Sequence, residues 1–177
     1  MGDIRVKFTA NRRKHRYVGK ALVDSGAQTS VFGIDVACKL GVDLAKAPKV
    51  ERETVGGLIL DGLQLGSVKI VANGRKATLH DVFVPVAQVT EIKNKKGVVT
   101  RITTPVPRDE ETLLGQDFLQ ASKSMLDFSD DTLKGIKELG PSRSISRKFT
   151  TRPAGKAARE IIRALVSCPI PKSPAKR

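Results

Sequence analysis

Tryptophan is absent from the 177 residues, and one tyrosine and six phenylalanines bring the aromatic share to only 4%. A surface that reads nucleic-acid bases by stacking needs such rings, and this chain has few to offer. Cysteine is nearly absent as well, with Cys38 and Cys168 alone, and histidine is limited to His15 and His80. That is too little for a disulfide framework and a poor stock for a structural zinc centre. No run of about 18 apolar residues occurs, which excludes a membrane-spanning helix. The first residues alternate apolar and polar and lack the apolar core of a signal segment. There is no Walker-type or dinucleotide glycine loop and no Gly-x-Ser-x-Gly elbow. The chain reads as a soluble protein of a reducing compartment, most simply the cytoplasm. Neither a metal nor a cofactor is expected.

Apolar residues make up 40% of the chain, enough for one core, and the length fits one domain with a tail. The formal charge is +14 and is unevenly placed. Residues 1–133 carry a net +4, whereas residues 134–177 carry +10 and hold five of the nine prolines. Such a composition buries too little apolar area to offset ordering entropy, so 134–177 reads as a largely flexible basic extension. Within it, Ala154, Ala157, Ala158, Ile161, Ile162 and Leu165 fall on one face at helical spacing. A short amphipathic helix is therefore expected near 154–167, docked either on its own domain or on a nucleic acid, an acidic partner or a membrane surface.

Short strand-like runs dominate residues 1–133. Ile4–Phe8 alternates at period two, and residues 17–24 run strand-like into a glycine-containing break. Ile34, Ala37 and Leu40 have helical spacing, with Gly41 as the stop. Residues 50–66 read as a hairpin across Gly56-Gly57, and Val68–Ala72 with Lys76–Val84 as another across Asn73-Gly74. Residues 85–112 suggest one further hairpin around Lys-Asn-Lys-Lys-Gly at 93–97. Gln116–Ala121 fits a short helix and Ser124–Phe128 a last strand. The expectation is a mainly β domain over 1–133 with one or two short helices.

The most informative stretch is Ala21-Leu22-Val23-Asp24-Ser25-Gly26-Ala27. An apolar strand delivers a carboxylate into a turn of small residues. A buried ionised Asp is costly unless something satisfies it, and Ser and Gly supply a hydroxyl, backbone N–H groups and room for close approach. The plainer reading, an Asx turn that only ends a strand, would win for an isolated tripeptide. Here Asp24-Ser25-Gly26-Ala27 is followed by Gly56-Gly57 in a hairpin and by Leu113-Leu114-Gly115 before a helix.

In that order these segments resemble the retropepsin-like aspartic proteases, over roughly residues 4–133. The resemblance implies a closed β-barrel-like acid protease fold with a basic C-terminal extension. It implies peptide-bond hydrolysis with Asp24 as the catalytic residue and Ser25, Gly26 and Ala27 as the active-site loop. Thr54, Val55, Gly56 and Gly57 would form a flap over the substrate, and Leu113, Leu114 and Gly115 would support the loop. Because no second Asp-Ser/Thr-Gly exists, activity requires a homodimer that brings two copies of Asp24 together. The partners implied are a protein or peptide substrate and a second copy of the chain. The rival is a non-catalytic basic scaffold on the same fold, contacting nucleic acid or an acidic partner through 134–177. A Cys38–His80 dyad is weaker, because Cys38 falls within the predicted helix as a small core residue.

Overall fold

The computed structural model describes residues 4–54, 56–93, 97–127, 132–135, 152–153 and 156–165. Strands β1 (Ile4–Arg12) and β2 (His15–Val23) form a hairpin whose register pairs Ile4 with Val23 and Arg12 with His15. The alternation seen in the sequence is realised in β1: Ile4, Val6, Phe8 and Ala10 are buried. Helix α1 (Ile34–Lys39) follows, and Ile34, Val36, Ala37 and Cys38 are buried. Cys38 is disulfide-bonded, and Cys168 lies outside the described residues. This differs from the free core thiol expected of Cys38.

Strands β3 (Lys49–Glu53) and β4 (Ile59–Leu65) form the expected hairpin around Gly56-Gly57. Its tip closes through Thr54 N–H, which donates to the Leu58 carbonyl at 2.8 Å. Gly57 has φ +76°, a value that residues with a Cβ rarely adopt. Strands β5 (Val68–Ala72) and β6 (Arg75–Leu79) turn at Asn73 (φ 46°) and Gly74 (φ 75°), as an Asn-Gly pair demands. The second arm is shorter than the sequence suggests. It ends at Leu79, His80 and Asp81 break it, and β7 (Val82–Lys93) leaves for the other sheet. There β7 pairs with β4 and with β8 (Val99–Pro105), the added hairpin of the 85–112 segment.

The remaining elements are β9 (Leu113–Leu114), α2 (Gln116–Ala121), β10 (Ser124–Asp127), β11 (Thr132–Gly135), β12 (Arg152–Pro153) and α3 (Lys156–Leu165). One five-stranded sheet has the order β6-β5-β1-β2-β9, another β12-β3-β4-β7-β8, and β10-β11 stand as a pair. The fold is mainly β, and its large sheets together form a half-barrel. Their bridge is Val31, which pairs with Phe83 in β7 and with Leu113 in β9. Phe8, Phe32 and Phe118 are fully buried between the elements, with Phe8 and Phe32 ring centroids 5.9 Å apart. No helix among the described residues is long and apolar enough to cross a membrane.

The basic C-terminal segment contributes to this architecture. Strand β12 pairs with β3 through Pro153–Val50 and Arg152–Glu51. In α3, Ile162 is 1% exposed and joins the core, while Arg159, Glu160 and Arg163 are exposed. The polar face of the helix thus stays in water and its apolar face meets the domain. Ile162→Ala should cost about 2–5 kcal/mol in urea denaturation of the full chain, as for other buried Ile truncations. A helix riding free of the domain would show a change near zero.

Candidate active site

Asp24 directly follows β2, and its position is set by backbone pairing on one side. β9 runs parallel to β2 with Leu22 beside Leu113 and Val23 beside Leu114. Leu22 N–H donates to the Thr112 carbonyl at 2.9 Å, and Asp24 N–H to the Leu114 carbonyl at 3.0 Å. The chain then turns sharply. The Asp24 carboxylate accepts the Gly26 N–H at 2.8 Å, and Ala27 N–H donates to the Asp24 carbonyl at 3.3 Å. The carboxylate is therefore oriented by its own loop, which is the Asx geometry the sequence allowed.

The loop is clamped from the far side by the segment that opens α2. Gln116 N–H donates to the Ala27 carbonyl at 2.7 Å, and the Gln116 side-chain amide donates to the Ser25 carbonyl at 2.7 Å. Gly115 has to be glycine: a Cβ there would lie 2.6 Å from the Ala27 carbonyl oxygen and 2.9 Å from Thr29 backbone. Asp117 completes the clamp. Its carboxylate accepts the Ser30 N–H at 3.0 Å and the Ser30 hydroxyl at 2.7 Å, and the same hydroxyl oxygen accepts the Gly115 N–H at 3.1 Å.

A cavity of about 510 Å³ opens beside Asp24. Gly26, Ala27, Thr54, Gly56 and Leu113 line it too, so the turn after β2, the β3–β4 hairpin and β9 converge there. Gly57 instead lines a neighbouring cavity of about 600 Å³ between the β3–β4 and β7–β8 hairpins. Ser25 is exposed and borders neither cavity, Leu114 is fully buried behind the loop, and Val55 lies outside the described residues. Val31, Leu60, Phe83 and Pro85 give the Asp24 cavity an apolar lining, and Glu53, Glu110 and Glu111 add exposed carboxylates. The result is a cleft with an apolar lining and one loop-oriented carboxylate beside a hairpin.

Asp117, Arg52 and Asp81 are the site residues that sequence reasoning missed. Asp117 carried a signal, an acidic residue in the first turn of the helix after Leu-Leu-Gly. Arg52 and Asp81 carried none, since a strand arginine and a turn aspartate are ordinary surface residues. The described residues contain no group of three or more His, Cys, Asp or Glu able to hold a metal ion. A Cys38–His80 dyad is excluded, because Cys38 is disulfide-bonded and His80 Nδ1 lies 3.0 Å from the Ser67 hydroxyl.

Burial pushes the Asp117 carboxyl above the ordinary carboxylate range, and its hydrogen bonds from Ser30 and Phe118 oppose that only in part. The folded state therefore keeps this proton at pH values where the unfolded chain has released it. Stability from this group is greatest at low pH and declines as pH rises from the ordinary Asp value through the raised one. Thermal melts of wild type and Asp117→Asn from pH 3 to 8 read this directly. The difference in Tm between them should change with pH in that sense, and a constant difference would contradict it.

No family model matches the sequence, and no curated protein matches it. Among solved structures, the chain is similar to a retropepsin-like aspartic protease from Rickettsia conorii, at 17% sequence identity and a TM-score of 0.45. The similarity covers 75% of this chain and 88% of that one.

Proposed function

We propose that the chain is one half of an aspartic endopeptidase, and that two copies pair so that each contributes Asp24 to one catalytic dyad. The observation that carries this reading is the meeting of the loop-oriented Asp24 carboxylate with flap residues Thr54 and Gly56 around one cleft. One carboxylate can hold or release a proton, but amide hydrolysis by this route needs a base and an acid at once. Two carboxylates about 3 Å apart cannot both ionise, so they share a proton and divide those roles. One Asp24 activates water, and its twin protonates or polarises the scissile carbonyl.

In the dimer, Ser25 is available for a hydrogen bond across the two-fold axis, because it is exposed and its carbonyl is already held by Gln116. Gly26 permits the turn and Ala27 borders the peptide. The flap, Thr54 to Gly57, presents backbone amides from the opposite side. The substrate class is a peptide or protein segment in extended form, which such amides recognise by strand-like pairing.

The test is cleavage of a peptide library between pH 4 and 8 by wild type and Asp24→Asn, with protein concentration varied. Expected are cleavage in the acidic to near-neutral range and a rate rising faster than linearly with concentration. The Asn variant should lose at least about a thousandfold, as removal of a catalytic group does. Folded wild type that cleaves nothing at any pH, or Asp24→Asn with full activity, would overturn the reading.

A further inference from the structure

Arg52 stands out among the groups around the Asp24 cavity. It lies on β3, two residues before Thr54, and is the one cation among the described residues that line this cavity. Its side chain is only 11% exposed. The guanidinium sits over the Phe83 ring, 4.8 Å from its centroid. One terminal nitrogen donates to the Thr29 hydroxyl at 2.7 Å and the other to the Asp81 carboxylate at 2.5 Å. Thr29 and Phe83 line the cavity as well.

A guanidinium carries five N–H donors in a fixed fork. Only two of them meet a protein acceptor among the described residues, and Nε is buried with none. A buried donor without a partner costs free energy, and native structures rarely keep one without a reason. The carboxylate paired with Arg52 among the described residues, that of Asp81, is itself 46% exposed. The cation is thus only partly matched, in a cavity whose apolar lining is Val31, Leu60, Phe83, Pro85 and Leu113.

We propose that Arg52 determines specificity, forming the polar wall of a subsite that takes a carboxylate or amide side chain of the peptide substrate. The proposal rests on the protease reading and deepens it by naming a substrate class: peptides with Glu, Asp, Gln or Asn flanking an apolar scissile pair. Turning slightly on Phe83, the fork donates to such an oxygen, and uncommitted donors gain a partner. The exposed carboxylates of Glu53, Glu110 and Glu111 do not cancel this preference. They are solvated and screened, whereas Arg52 acts from a nearly dry wall where the same charge interacts more strongly. Asp81 is then a competitor for the fork, holding it while the cleft is empty.

The test compares kcat/KM for matched peptides that differ only in Glu against Leu at the flanking position. Wild type is expected to favour Glu by about tenfold or more, the selectivity a site built to pair a polar group gives. Arg52→Leu should bring the ratio to one or below. Arg52→Lys should keep a reduced preference, because an ammonium lacks the fork. Asp81→Asn should raise the ratio several-fold by freeing the guanidinium. Each ratio is taken within one preparation, so partial misfolding of a variant scales both rates alike. A ratio near one in wild type, one that survives Arg52→Leu, or one that falls in Asp81→Asn would overturn the proposal while leaving the protease reading intact. Absence of cleavage of every library peptide would instead remove the protease reading and this proposal with it.

Discussion

The backbone of residues 22–31 is held on both sides by residues 112–117, and the site depends on that grip. On one side β2 pairs in parallel with β9 and ends in the bond from Asp24 N–H to Leu114. On the other, Gln116 and Asp117 N–H groups donate to the Ala27 and Gln28 carbonyls at 2.7 and 3.2 Å. A strand that ends in a charged turn has unpaired backbone groups on both edges, and these bonds satisfy them. Gly115 makes the close approach sterically possible, and the Ser30–Asp117 pair fastens it from below. This frame places the Asp24 backbone, and the Gly26 N–H orients its carboxylate.

A second tie couples this frame to the flap. Arg52 reaches from β3 to Thr29 in the loop and to Asp81 before β7. Asp81 in turn raises the Asp117 carboxyl electrostatically, so the two networks are neighbours. β3 also carries β12 on its outer edge, which brings the C-terminal segment against the base of the flap hairpin. The basic extension is in this respect part of the domain's frame as well as an appendage.

Much of this was legible in the sequence, for a physical reason. Strand alternation in Ile4–Ala10, the Asn73-Gly74 turn and the Gly57 tip are local signals, set by burial period and by φ. The order of Asp-Ser-Gly, Gly-Gly and Leu-Leu-Gly placed three segments around one cleft. What was not legible was non-local. The exit of β7 at His80-Asp81 depends on pairing with β4, and nothing in Lys76–Val84 alone marks it. The way the two sheets join depends on Val31, whose bridge partners lie in β7 and β9, far from it in sequence. The burial of Asp117 and Arg52 comes from partners 87 and 23 residues away in sequence, which no local pattern marks.

In the proposed function, one active centre needs two copies of Asp24. Subunit mixing tests it most directly: wild type at fixed concentration is equilibrated with increasing Asp24→Asn protein, and peptide cleavage is followed. If the dyad spans a two-fold axis, activity per wild-type chain falls in proportion to the wild-type fraction, because mixed dimers carry only one carboxylate. Activity per wild-type chain that stays constant as the variant is added would mean that each chain works alone, and would contradict the account.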